Sequence, residues 1–358
     1  MKRHIRKLKP KVKAALPRLS FKKDAEEIST EGIPRITNET IAAHREEVLS
    51  GARKYIYPLQ HSKHRIVVIS TTLLISAVII FFAYCWVALY KLQSTSTFVY
   101  GITEVIPFPV AKIGSHYIPY ESYLFELRRY VHYYETQQRV DFHSSAGQQQ
   151  LVQLKRRAMN QVLTNAYVSE IAKRHNVTVS DRELNTEIAL VRSQNRLGGG
   201  DQVFRTVLQE FWGWSEADFK RELRQQLLEQ KLIDTLDTGT HQRAEQALQQ
   251  LQGGADFAVL AKQVSDDQAT KENGGAFGVP ISRSSRDIAP QISEALFSLE
   301  PGQHSAIINT GYSLEIVKLL EKTGDKVRGA HIVFNFKDPS AFINPERIKL
   351  KPHQYISV

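Results

Sequence analysis

The chain has 358 residues, of which 42% are apolar and 23% charged; these globular values exclude wholesale disorder. The length allows two ordinary domains with additions, at ~150 residues per domain. The formal charge of +10 looks at first like a nucleic-acid signal, but residues 1–65 hold 16 Lys/Arg against 7 Asp/Glu and so carry +9 of it. No nucleic-acid partner is expected for the folded part.

Residues 1–65, with "KRHIRKLKPKVK" near their start, read as a basic and mostly flexible tail. It either rests on anionic lipid or serves only as a topology signal. Residues 66–90, "IVVISTTLLISAVIIFFAYCWVALY", contain no charge. As a helix at 1.5 Å per residue they cross a hydrocarbon core of ~30 Å with room for tilt. Arg65 and Lys91 bracket the run, and Tyr84, Trp86 and Tyr90 lie towards its end, where amphipathic rings favour the interface. The basic flank predicts a single-pass span with 1–65 cytoplasmic and the rest outside. The only cysteine, Cys85, lies within the span, so the exported part has no disulfide and depends on its core.

Residues 91–110 read as a polar, then proline-containing, linker. From 111 the pattern predicts a short strand-turn element and then helices. Leu151, Leu154, Ala158, Val162, Ala166 and Ile171 recur at helical spacing and form one apolar face. Ser180 and Glu183 fit a capping box, and Ser215 caps a further helix whose stripe is Phe219, Leu223, Leu227 and Leu228. "RLGGGD" between them reads as a flexible loop, since no Lys-Ser/Thr follows to make a phosphate cradle. Residues 111–237 are thus a helical domain without a cluster of catalytic residue types. After it come an amphipathic helix with Ala244, Ala247, Leu248 and Leu251, and a short one with Phe257, Leu260, Ala261 and Val264. A Gly-rich turn, a further helix and the β run "SLEIVKLLE" follow, giving an α+β domain over 238–337 with a tail at 338–358.

The segments "GGADFAVLAKQVSDDQATKENGGAFG", "IAPQISEALFSLEPGQHSAII" and "EIVKLL" resemble the parvulin (PpiC, rotamase) family of peptidyl-prolyl cis-trans isomerases in type, order and spacing. The helical domain is similar to the SurA-type chaperone domain, through "AKIGSHYIPYESYL", "NVTVSDREL" and "WGWSEADFKRELRQQLL". These resemblances imply an α+β fold: a transmembrane helix, an all-α SurA-type domain, then an antiparallel parvulin-like sheet with surrounding helices. A parvulin begins with a histidine-bearing strand, and here none precedes the first helix of the domain. Instead "VRGAHIVF" follows the last strand across Thr323-Gly324-Asp325. First and last strands are neighbours in this family, so a hairpin there would make a circularly permuted parvulin, with 328–334 as the first-strand equivalent. The alternatives are an extra edge strand or the start of a second, truncated module.

The resemblance assigns Asp267, His331 and Glu315 to the catalytic positions, and Phe277, Ile288 and Ile292 to the proline-binding ones. Glu315 stands where the family has a second histidine. It is close enough in pattern to pair with His331 and fix the imidazole tautomer. Each of these residues also has a plain structural reading: Asp267 as a turn acid, the isoleucines as core, His331 as a satisfied strand histidine. Rotation about X–Pro needs neither metal nor cofactor, and none is expected. The implied function is an anchored extracytoplasmic foldase acting on unfolded or proline-containing exported polypeptides. The alternative is a holdase chaperone that kept the fold and lost most turnover.

Overall fold

The computed structural model describes residues 37–56, 59–194, 200–283 and 285–358. Most of the basic tail and of the "RLGGGD" loop lies outside the described residues. The chain divides into two compact units, Met1–Ile79 and Ile80–Val358. The first unit holds α1 (Asn38–Ile56), where a flexible tail was expected. Ala42, Ala43, Glu46 and Glu47 are good helix formers, a local preference outweighed in the sequence reading by the basic, proline-containing stretch before it. Helix α2 (Leu59–Trp86) begins in this unit, and Arg65–Lys91 is the one segment among the described residues long and apolar enough to cross a membrane.

In the second unit the helix runs on through a π-helical turn, Val87–Lys91, that buries Ala88 and Leu89. The expected linker follows, but it contains α3 (Thr97–Val105), capped by Ser96 and burying Val99 and Thr103. Strands β1 (Pro109–Ile113) and β2 (His116–Pro119) form a tight hairpin turning at Gly114, φ +56°. Helices α4 (Tyr120–Thr136) and α5 (Ser145–Arg174) then build the main core. Four of the six predicted apolar positions on α5 are buried, and Leu151 and Ala166 pack at its edge.

Helices α6 (Asp181–Gln194), α7 (Asp201–Trp212) and α8 (Glu216–Leu236) complete the helical part. The Ser180–Glu183 box is formed, with the Ser180 N–H donating to Glu183 at 2.8 Å and the Glu183 N–H to Ser180 Oγ at 3.2 Å. Ser215 makes the same reciprocal cap with Asp218. Both satisfy amide donors that a helix start leaves free.

The α+β part opens with α9 (Thr238–Gln252) and α10 (Phe257–Val264), continues through β3 (Ile281–Ser282), α11 (Pro290–Ser298) and β4 (Ile308–Asn309), and ends in β5 (Ser313–Thr323) and β6 (Lys326–Asn335). The antiparallel sheet has the order β3-β6-β5-β4. Strands β5 and β6 are joined by a two-residue turn with Gly324 at φ +61°. Alternation sorts their side chains. Leu314, Ile316, Ala330, Ile332 and Phe334 face α9 and α10, while Val317, Leu319 and Val327 face α11.

Residues 338–358 are not a tail. Helix α12 (Ser340–Lys349) and strand β7 (Pro352–Gln354) return to the helical domain, where β7 pairs with β1 in a second sheet of order β2-β1-β7. The mostly helical domain therefore carries a small sheet, completed by the chain's C-terminal segment.

Candidate active site

On β5 and β6, Val317 stands opposite His331 and Glu315 opposite Val333. Glu315 and His331 are thus diagonal neighbours on the α11 face of the sheet. His331 Nδ1 lies 3.0 Å from Glu315 Oε2, and Nε2 lies 2.9 Å from Asp267 Oδ2. Asp267 arrives from the loop after α10. The Asp266 N–H donates to the Val333 carbonyl at 2.7 Å, and Ser265 Oγ accepts from the Val333 N–H at 3.1 Å, which fixes that loop along β6. The Thr270 hydroxyl donates to Asp267 Oδ2 and stands 3.0 Å from His331 Nε2. Glu315 is held from its other oxygen by the Ser313 hydroxyl at 3.0 Å.

Two carboxylates therefore face the two ring nitrogens of one imidazole, which suits the doubly protonated form. Burial opposes charge on His331, but its hydrogen bonds and attraction to Glu315 and Asp267 prevail and raise its pKa above the ordinary value. Burial likewise opposes the Asp267 carboxylate, and the hydrogen bonds from Thr270, the Ala269 N–H and His331 outweigh it and lower its pKa. The sign follows from linkage. The His331 contribution to stability is full below about pH 6.5 and is lost as pH rises through the raised value. That of Asp267 is full above about pH 4 and is lost as pH falls through the lowered one. The melting-temperature difference between the wild-type chain and His331→Gln is thus expected to peak near pH 5–6 and shrink as pH rises beyond ~7, checked by thermal unfolding across that range.

The ring of Phe277 lies 4.5 Å, centroid to centroid, from that of His331. Phe277 and Ile288 are half-buried at the edge of the α11 cluster. Ile292 differs from expectation: it is 2% exposed and packs in the core with Leu296 and Phe297, so it underlies the hollow rather than lining it. The structure brings Asp267, His331, Glu315 and Phe277 together, with Ile288 in the apolar cluster beside them. Sequence reading missed Thr270, whose only signal is its position three residues after Asp267. It also missed Gly275.

Gly275 has φ +80°, and a Cβ there would stand 2.1 Å from the His331 carbonyl oxygen, because the His331 N–H donates to the Gly275 carbonyl at 2.8 Å. Gly275→Ala is expected to cost about 2–4 kcal/mol in chemical denaturation and to displace the Asp267 loop. Gly278→Ala, where the space is open and φ is not positive, is expected to be tolerated.

Apolar grooves would suit a domain that grips unfolded segments. The cavities of the helical domain are instead mixed in character. One of about 380 Å³ lies between α5, α8 and the ends of β5 and β6, and is lined by Gln161, Asn165, Gln226, Ile233, Tyr312 and Phe336 among others.

A four-stranded antiparallel sheet with surrounding helices, following a largely helical domain, fits the parvulin-type and SurA-type resemblances of the sequence. Comparison with known proteins agrees. Residues 230–321 match the family described as PPIC-type PPIASE domain, and residues 59–233 the SurA-like N-terminal domain. The chain thus joins a PPIC-type domain to a SurA-like one. Foldase protein PrsA of Caldanaerobacter subterraneus subsp. tengcongensis is 29% identical over 189 residues, 49% of this chain and 61% of that protein. Chaperone SurA of Albidiferax ferrireducens is 31% identical over 177 residues, 42% and 38% of the two chains. Foldase protein PrsA 2 of Listeria innocua serovar 6a is 33% identical over 166 residues, 39% and 54%. This chain therefore aligns with 61% or less of the length of each of these relatives. The PPIC-type match ends at residue 321, before β6 and His331.

Proposed function

We propose that this chain is a membrane-anchored, extracytoplasmic peptidyl-prolyl cis-trans isomerase that assists the folding of exported proteins, and that its parvulin domain is circularly permuted. The observation that carries the reading is the Asp267–His331–Glu315 cluster beside the half-buried rings and side chains of Phe277 and Ile288. Rotation about X–Pro faces a barrier of ~18–20 kcal/mol set by amide resonance, which draws charge onto the carbonyl oxygen. A catalyst must hold the proline ring on an apolar surface and favour the twisted, less polar amide. Phe277 and Ile288 would receive the ring. The Asp267 carboxylate, oriented by Thr270 and His331, would face the substrate carbonyl and disfavour the charge-separated planar form. Glu315 would keep His331 protonated, and so keep Asp267 in place.

Permutation is supported by the position of β6, which lies between β3 and β5 and is not an edge strand. The uncharged run 66–90 and the basic residues before it support a single-pass anchor with the N-terminus cytoplasmic and the folded domains outside. Clients would be unfolded or proline-containing exported polypeptides, gripped in part by the carboxamide-lined cavity between the domains.

A second reading, an anchored holdase with little turnover, is favoured by two observations: Glu315 in place of a second histidine, and the burial of Ile292. The full chain in detergent or nanodiscs separates the two in a proline-limited refolding assay. Acceleration above background supports the isomerase. Suppressed aggregation without acceleration leaves the holdase.

A further inference from the structure

One side of α3 is apolar, flanked by the exposed polar residues Thr97 and Glu104. Phe98, Gly101, Ile102 and Val105 fall at i, i+3, i+4 and i+7 and form one stripe without a charge. Phe98 is 66% and Val105 82% exposed, while the opposite side of the helix is fixed by buried Val99 and Thr103. Leu92, just before α3, is 71% exposed. A soluble surface rarely gathers such residues without a partner.

The neighbour of this stripe is the end of the apolar span. The Phe98 ring lies 6.4 Å from that of Tyr84, and Phe82 lies 6.3 Å from Phe108. Tyr84 is six residues, or ~9 Å along a helix, before Tyr90. The joint between span and domain is packed: Leu89 is 1% exposed, and its carbonyl accepts the Tyr120 hydroxyl at 2.6 Å. The Tyr90 hydroxyl donates to the Pro109 carbonyl at 2.7 Å, and Arg128 donates to the Thr95 carbonyl at 2.8 Å. The height of α3 relative to the span's end is therefore set by packing and not by a slack linker.

We infer that the Phe98–Gly101–Ile102–Val105 stripe of α3, with Leu92, lies in the interface of the same lipid bilayer that the span crosses, and seats the folded domains against the membrane surface. The occupant is lipid because Phe98 of the stripe stands beside Tyr84 of the apolar run, and interfacial helices bury their apolar side ~5–10 Å deep. This rests on the reading of 66–90 as a transmembrane anchor.

The test uses the full chain with Cys85→Ala and one added cysteine, carrying an environment-sensitive fluorophore, in nanodiscs whose acyl chains bear nitroxide quenchers. Labels are placed at Phe98→Cys and Val105→Cys, with Val78→Cys in the span and Val279→Cys, 65% exposed in the isomerase domain, as references. Quenching at 98 and 105 is expected to reach roughly half or more of that at 78, with 279 unquenched. Quenching at 78 alone overturns the inference, whether the stripe is found in water or covered by a second copy. Absence of quenching at 78 overturns the anchor and the inference together.

Discussion

Replacing His331 by glutamine is expected to lower catalysed proline-limited refolding by roughly 10–100-fold, from the ~1.5–3 kcal/mol carried by hydrogen bonds to charged groups. His331 is the group that joins Asp267 to Glu315, at 2.9 and 3.0 Å. Its side chain is 13% exposed, as is that of Glu315. Glutamine can offer an N–H to one carboxylate but carries no charge, so the other acid is left facing a half-buried hollow without its counter-ion. Asp267→Ala removes the acid that would meet substrate and is expected to lose as much. The double variant should be little worse than either single one, since residues that act as a unit are not additive. Steady-state isomerase kinetics on all three variants check this. A His331→Gln enzyme within ~3-fold of wild type, well inside the expected loss, would sink the proposed role of the cluster.

Ending the chain at Lys337 is expected to destabilise the helical domain far more than the β5–β6 sheet. The removed segment includes Ile343 and Ile356, 4% and 5% exposed, within the core that contains Tyr167, Val110 and Leu124. It also takes away the β1 pairing of β7, the Tyr355 N–H bond to the Val110 carbonyl at 2.9 Å and the Arg174–Glu346 ion pair at 2.7 Å. Deleting one buried isoleucine side chain costs ~2–5 kcal/mol, so two such losses with the strand approach the ~5–15 kcal/mol that holds a domain together. Limited proteolysis and thermal melts of full-length and shortened chains are the measurement. Rapid cleavage within 111–237 is the expected result. Ile356→Ala, a milder change, should lower the stability of the same domain by ~2–4 kcal/mol. If both proteins melt and resist protease as the full chain does, the segment is a tail after all.

Much of the candidate site could be read from sequence because its parts are held in short motifs. Asp267 follows α10 at fixed spacing, and His331 lies in a run whose alternation marks a strand. Thr270 and Gly275 escaped because their importance is a matter of what stands opposite them. Thr270 matters through an imidazole 61 positions away in the chain, and Gly275 through the backbone of β6. Ile292 stayed open between pocket and core for the same reason. An apolar residue on a helix serves equally as floor or as wall, and only the packing of α11 on the sheet decides between them.

The sequence by itself determined the uncharged run, the apolar face of α5, the capped starts of α6 and α8 (though not α7), and the turn at Gly324 that sends β6 back along β5. Each depends on interactions within a few residues, on helical or strand periodicity, or on one residue's access to positive φ. The tertiary structure alone decided that β6 lies inside its sheet and that β7 completes a sheet begun some 240 residues earlier in the chain. It also decided that α3 is packed into the domain where a linker was expected. Those outcomes turn on which apolar faces and unpaired strand edges find each other, a choice among partners distant in the chain that no local pattern records.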